Sequence, residues 1–370
     1  MAVNERRPNV SYWVQSEKIS RYPVLERDLE VDVAIIGAGI VGITAATLLK
    51  RAGKRVVVVE MDGVGRGVTG YTTAKVTSGH NLIYGRLERD HGKDAARDYA
   101  SANEAGLEHI LRSVADENID CDIEHKTNYV YCEDPEDAEA IEKEVETAKR
   151  TGLPVSLVTE TSLPYPIAAA IRYDRQAQFH PVKYLAHFAR QIPGDGSDLF
   201  ERTRVTGVGE GDPCEVRTAG GTIRSEQVIV ATNYPFLDRG LLFPRIHPQR
   251  SYAVAAPIKS SDAPDGMFIT STEPTRSIRT IPDGNRTLLL VGGEGHNVGH
   301  DYDTRGRYAA LERWTTERFG IDNFKYRWSA QDGVSVDGLP FVGTYRRGAT
   351  RVFIATAFAN GEWRMARPPP

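Results

Sequence analysis

Cysteine is scarce in this chain, with three among 370 residues: Cys121, Cys132 and Cys214. An odd count with no Cys-x-x-Cys and no Cys-x-His pair excludes a disulfide framework and a cysteine-built metal centre, so no metal site is expected. The three thiols read instead as small buried side chains in strands. Charge of one sign is lacking too. With 46 Lys+Arg against 50 Asp+Glu the net charge is -4, which gives no electrostatic footprint for nucleic acid or an anionic membrane surface. No apolar run is long enough to span a bilayer. The nearest, from Val33 to Leu49, is interrupted by three glycines and followed by Lys50 and Arg51. Met1 to Gln15 lacks the apolar core of a signal peptide, so a cytoplasmic protein with a small-molecule substrate is expected. Fixed-period repeats are missing, and the only low-complexity stretch is Pro368-Pro369-Pro370.

What is present points to a globular α/β protein of two domains. Glycine numbers 34, and 40% of the residues are hydrophobic. Val31 to Ile36 is a β-branched run ending in Gly37, Ile40 to Ala52 has helical spacing, and Arg55 to Val59 is a second β-branched run. That is a βαβ unit of a parallel sheet covered on both faces. Helices are predicted over Leu82 to Asn118, Pro135 to Thr151, Pro181 to Gln191 and Asp303 to Phe319. Strands are predicted over Cys121 to Cys132, Phe200 to Val208, Cys214 to Thr218, Thr222 to Arg224 and Gln227 to Ala231. An antiparallel meander should follow from Arg250 to Gly292. Residues 154–180 read as loop, and residues 1–30 as an arm on the core.

Gly37-Ala38-Gly39-Ile40-Val41-Gly42 spells GxGxxG between that first strand and helix. Gly37 permits the tight turn, Gly39 lets backbone approach a pyrophosphate, and Gly42 lets helix and sheet pack closely, while the helix N-terminus offers free N–H groups. Glu60 closes the next strand, where an acid holds ribose hydroxyls and repels a ribose phosphate, which disfavours NADP. The fingerprint does not separate FAD from NAD, since both carry an ADP half.

Three further segments resemble the D-amino acid oxidase and glycine oxidase superfamily. Gly67 to Lys75 resembles the Gly- and Thr-rich segment along its flavin, Val228 to Thr232 a later strand of its FAD domain, and Asp337 to Gly343 its DGLPxxG element. Within it, Thr72-Thr73-Ala74-Lys75, Asp174 to Pro181, Tyr234-Pro235-Phe236-Leu237, Val291 to His296 and Tyr326 to Asp332 resemble the flavoproteins that carry a C-terminal Rieske iron–sulfur domain. No Cys-x-His and Cys-x-x-His pair is present to ligate a cluster, so an iron–sulfur electron partner would be missing from this chain.

The resemblance implies a Rossmann-like FAD-binding domain with a second domain built on a large antiparallel sheet. The FAD domain would comprise residues 31–100, 176–235 and 333–370, and the substrate domain residues 101–175 and 236–332. Together with the fingerprint it implies cofactor contacts from Gly37, Gly39, Ile40, Val41, Gly42, Glu60, Thr72, Thr73, Ala74, Lys75, Val205, Ala231, Thr232, Asp337, Gly338 and Pro340. The implied reaction is hydride removal from a C–H beside an amine nitrogen, with FAD as acceptor. Arg250, Tyr252 and Arg279, in meander strands, are candidate grips for a substrate carboxylate. His80 is a candidate flavin contact. His180 and Pro181 read as structural, and Trp314 and Trp328 as core.

The family loop GFxxWGMxNG is not present after Val352 to Thr356. The chain reads Ala357 to Pro370 there, and a back-translation taken one frame over restores Trp-Gly-Met-Ala-Asn-Gly. A single-base loss near Asn360, removing a capping helix, is the resulting expectation. Alternatives at this point are a flavin-binding remnant without turnover, an FAD monooxygenase and an NAD-dependent enzyme.

Overall fold

The computed structural model describes residues 9–234, 236–237, 242–299 and 303–358. The first eight residues, Pro235 and the segment from Ala359 to Pro370, on which parts of the reading above fall, lie outside them. Two large sheets organise the rest. The first runs in the order Phe341–Thr344, Val352–Thr356, Thr222–Val230, Leu29–Ile36, Val56–Val59 and Asp198–Phe200. Four of the five pairings in this order are parallel, and the hairpin of Val205–Gly209 and Cys214–Thr218 is attached to Thr222–Val230. Val56 to Val59 are all buried, as a strand covered on both faces requires. Ile36 is in register with both Val59 and Val230, and Val230 with Ile354. The parallel strands therefore stop at one level, and the crevice beyond their carboxyl ends is where such sheets bind ligands.

The second sheet has nine strands, in the order Tyr326–Ser335, Ile246–Ile258, Arg286–Asn297, Arg276–Asp283, Met267–Thr270, Glu124–Cys132, Ala169–Gln178 and Lys75–Val76, with Val155–Val158 also on Ala169–Gln178. All pairings but that of Met267–Thr270 with Glu124–Cys132 are antiparallel. Strand alternation divides its side chains. Ala253, Ala255, Leu288, Leu290 and Trp328 pack towards the first sheet. Tyr252, Val254, Ala256, Leu289 and Val291 pack instead with Tyr308 and Leu311 of the helix Thr304–Phe319.

Several predicted boundaries shift for identifiable reasons. Arg202, at φ 49°, turns the chain out of the sheet and splits Phe200 to Val208 into two strands. Gly92, at φ 90°, divides the long helical zone into Tyr84–His91 and Lys93–Glu117. The two strands predicted between Thr222 and Ala231 are one, because Arg224 and Glu226 merely alternate outward. The stretch read as loop holds Ala169–Gln178, an interior strand of the second sheet.

The N-terminal arm is part of the core. Ser11 caps the short helix Tyr12–Ser16 by accepting the Val14 N–H and donates its hydroxyl to the Gly70 carbonyl. Trp13 is 1% exposed, and Leu25 is fully buried, lying under Gly220, where a Cβ would fall 1.8 Å from the Leu25 carbonyl oxygen. Leu25→Ala is expected to cost about 2–5 kcal/mol, the range for an aliphatic side chain deleted from a packed core. A lowered denaturant midpoint with an unchanged far-UV spectrum is the readout, and a midpoint equal to wild type would show that the arm only lies on the surface.

Candidate FAD site

The glycine turn is built by contact. Gly37 has φ 105°, and a Cβ there would lie 2.7 Å from the Ala231 carbonyl oxygen; one on Gly42 would lie 1.9 Å from the Gly37 carbonyl oxygen. Neither position admits a side chain without moving backbone. Gly39, the N-cap of the helix Ile40–Arg51, offers no side chain to its first turn, and the Ile40 N–H donates to Thr69 Oγ1 at 3.1 Å. Ile40 and Val41 thus open a helix whose positive end faces the crevice.

Glu60 stands at the end of Val56–Val59, its carboxylate accepting the Ala38 and Asp62 N–H groups, each at 2.9 Å. Burial pushes its carboxyl above the usual range, against the pull of those two donors. Across the crevice the Ala231 N–H donates to the Ile36 carbonyl at 2.8 Å, and the Thr232 hydroxyl is buried with no protein partner. Val205 begins its strand two residues beyond Thr203, whose N–H donates to the Glu60 carbonyl at 2.8 Å.

The Thr-rich segment lies between the two sheets. Its four consecutive carbonyls are held by buried side chains from three distant segments. Trp328 Nε1 donates to the Tyr71 carbonyl at 2.9 Å, Trp13 Nε1 to that of Thr72 at 2.8 Å, and Arg279 Nη1 to those of Thr73 and Ala74 at 3.1 and 2.7 Å. Ala74 takes φ 58°, with its N–H donating to Thr72 Oγ1. Lys75 reaches across the second sheet to the Phe268 carbonyl at 2.6 Å. The DGLP element docks nearby: the Asp337 carbonyl accepts from Arg86, the Asp337 side chain accepts the Leu339 N–H, Gly338 turns at φ 75°, and Leu339, just before Pro340, packs against the cluster of Ile83 and Tyr84.

Where Tyr71 and Thr73 meet the second sheet there is a small recess, lined also by Ser251, Tyr252, Ala253, Gly292, Gly293, Trp328 and Ala330. Gly292 opens it: a Cβ there would lie 3.2 Å from Thr73 Cγ2. Of the substrate-grip candidates, Tyr252 contributes to its lining, and Arg250 and Arg279 do not. The Tyr252 ring packs on the helix side, its hydroxyl 3.0 Å from His296 Nε2. Arg250 donates to Gln331 at 3.3 Å and acts electrostatically on Tyr308, again on the helix side. Arg279 is 1% exposed and bonded to carbonyls. Alternation in a strand sends neighbours to opposite faces, which the one-dimensional pattern of small residues and arginines did not resolve.

His80 bonds Tyr99 through Nδ1 at 3.0 Å, and burial pushes it down to about 4. His180 caps the helix Pro181–Ala189 by accepting the Lys183 N–H, the structural task expected. Trp328, expected as core, is fully buried and also lines the recess. Trp13 was missed; the aromatic pair Tyr12-Trp13 in an otherwise polar arm was its only signal. Among the described residues no group of His, Cys, Asp and Glu could hold a metal, and no helix is long and apolar enough to cross a membrane.

The family model described as DAO, FAD dependent oxidoreductase, matches residues 32–366. The chain belongs to this family. A Bacillus subtilis relative described as a putative Rieske 2Fe-2S iron–sulfur protein, YhfW, is 33% identical over 96% of this chain and 70% of its own length. Gamma-glutamylputrescine oxidoreductase of Escherichia coli is 27% identical over 60% of this chain and 53% of its own. Among solved structures, glycine oxidase from Geobacillus kaustophilus superposes with a TM-score of 0.71 at 19% identity, covering 90% of each chain. The protein is an FAD-dependent oxidoreductase with the glycine oxidase fold.

The residues present fit FAD. Side-chain-free backbone at Gly39 and the first turn at Ile40 and Val41 suit a pyrophosphate. The Glu60 carboxylate suits ribose hydroxyls, and the unpartnered Thr232 hydroxyl lies ready for a polar ligand atom. Glu60→Gln is expected to weaken FAD binding roughly 10–100-fold, the loss of a charge-assisted bond, measured by titrating apo-protein. Because the folded apo-protein raises the Glu60 pKa above 4.5, this group's contribution is present below 4.5 and is lost as pH rises through the raised value. The apo melting temperature of Glu60→Gln relative to wild type should therefore be more favourable at pH 7 than at pH 4. An equal difference at both would contradict the burial argument.

Proposed function

We propose that the enzyme removes hydride from a C–H beside the nitrogen of a small amine, and that the recess between Thr73 and Gly292 receives the reacting end. FAD, when bound, supplies the two-electron acceptor for that hydride. The C–H bond breaks with its electron pair leaving with the hydrogen, while the nitrogen lone pair forms the C=N bond, so no side chain need take a proton in the hydride step once the amine is bound as its free base. The chain's residues bind, orient and exclude water. Tyr71 and Trp328 provide aromatic surface, and Thr73 and Ser251 provide hydroxyls.

The observation that carries this reading is the lining itself: none of the nine residues is charged. An amine free base tolerates such a wall, whereas a carboxylate would be desolvated there without a cation. Arg279 is engaged with carbonyls, and Arg276 is paired with Glu294 at 2.5 Å. The reading thus favours amines over α-amino acids, in keeping with gamma-glutamylputrescine oxidoreductase among the relatives, and leaves Arg250, Tyr252 and Arg279 out of a carboxylate grip. The name of the Bacillus relative supports a second element: electrons leaving through an iron–sulfur partner.

In anaerobic mixing, short primary and secondary amines should bleach the visible flavin band at least about tenfold faster than their α-carboxylated counterparts, as the cost of burying an unpaired carboxylate requires. Faster bleaching by amino acids would overturn the substrate class. Bleaching by NAD(P)H alone would indicate a monooxygenase instead.

A further inference from the structure

Each of the Tyr71–Ala74 carbonyls has a buried side-chain donor. Two of the donors also touch each other: the Arg279 guanidinium lies 5.2 Å from the centre of the Trp13 ring, a cation–π contact strengthened by its dryness. Burial pushes the guanidinium down to about 9. It remains charged at neutral pH, because carbonyls of Thr73, Ala74, Phe179 and Thr280 surround it. The result is a brace made from the N-terminal helix and an interior strand, closing on a backbone that holds Ala74 in the left-handed region, an uncommon conformation for a residue with a side chain.

In a trans peptide the carbonyl and N–H point in opposite directions. With the Thr72 carbonyl drawn to Trp13, the N–H of Thr73 points away from the brace, and no protein acceptor among the described residues takes it. Thr73 lines the recess. We infer that Trp13 and Arg279 are positioning residues for the redox site: they fix the Thr72–Thr73 peptide so that the Thr73 N–H is presented, ready-aimed, to the cofactor beside the recess. This rests on the placement of the recess in the reaction proposed above, and it assigns a function to an N-terminal helix that makes no contact with the phosphate turn's own hydrogen bonds. A donor fixed before binding costs no reorganisation when negative charge builds on the bound ring.

The test uses the full chain and three variants. Trp13→Phe keeps a ring beneath Arg279 and removes the indole donor; Arg279→Lys keeps charge and removes the fork. Trp314→Phe is the control, since Trp314 packs on the opposite face of the second sheet with Tyr165 and Phe319. Each apo-protein is melted and titrated with FAD, and the reduction potential and visible spectrum of each loaded protein are recorded. Trp13→Phe should bind FAD roughly tenfold more weakly, with a lowered flavin potential and a shifted visible band. Trp314→Phe should lower the melting temperature with affinity, potential and spectrum at wild-type values. If Arg279→Lys does not fold, Trp13→Phe decides alone. Overturning results are a Trp13→Phe protein that melts early yet keeps wild-type FAD affinity, potential and spectrum, or a Trp314→Phe protein that loses them equally. Wild-type spectral and potential values in Trp13→Phe would sink the brace and leave the amine reading standing. Amine-independent flavin in an intact brace would do the reverse.

Discussion

A backbone segment pressed between two sheets cannot leave its carbonyls to water. Each buried carbonyl without a donor costs on the order of 1–3 kcal/mol, and residues 71–74 present four in a row, buried at Ala74 and half-buried at the other three. Side chains from three distant segments meet that demand. The donors are long, flat and mostly apolar: two indoles and a guanidinium. Such groups can sit in a hydrophobic interior and still offer an N–H. Shorter polar side chains at the same positions would need water or further partners of their own. The first and second sheets are thus joined through a loop whose conformation is dictated from both sides.

The phosphate end of the site works by the opposite principle. There the requirement is absence: Gly37, Gly39 and Gly42 keep side chains away so that backbone can approach backbone. Glu60 supplies an acid there, tied by two N–H donors of the same crevice. One half of the site is therefore a void shaped by glycine and the other a loop shaped by donors, and FAD is a molecule long enough to use both.

The two halves differ in how far they were legible from sequence. The strand, glycine turn, helix and acid of residues 29–60 are local, and periodicity with spacing locates them nearly to the residue. The Thr-rich segment and the DGLP element were found by resemblance, without their partners. Trp13 and Arg279 could not be assigned, because their role exists only where residues far apart in sequence meet. Arg279 stood out as an arginine in an apolar strand, and carboxylate binding was the natural reading; that it serves carbonyls follows from the face it occupies. Arg250 illustrates the same limit, since a one-residue change in strand phase exchanges one face of the sheet for the other. Ala169–Gln178 escaped because Arg172, Asp174, Arg175 and Gln176 interrupt its apolar alternation, and Arg175, at φ 57°, breaks the period as well.

The donors to the loop come from the N-terminal helix and from strands near residues 279 and 328. During synthesis the loop is made early, together with the glycine turn and Glu60, but its last donor emerges only after more than 250 further residues, the separation of Trp328 from Tyr71. Contacts of such long range close late, after the loop-closure entropy has been met. The glycine turn and Glu60 can thus be complete while this loop still lacks a donor. The residue 71–74 loop is thus the part of the crevice whose set of donors is completed last along the chain.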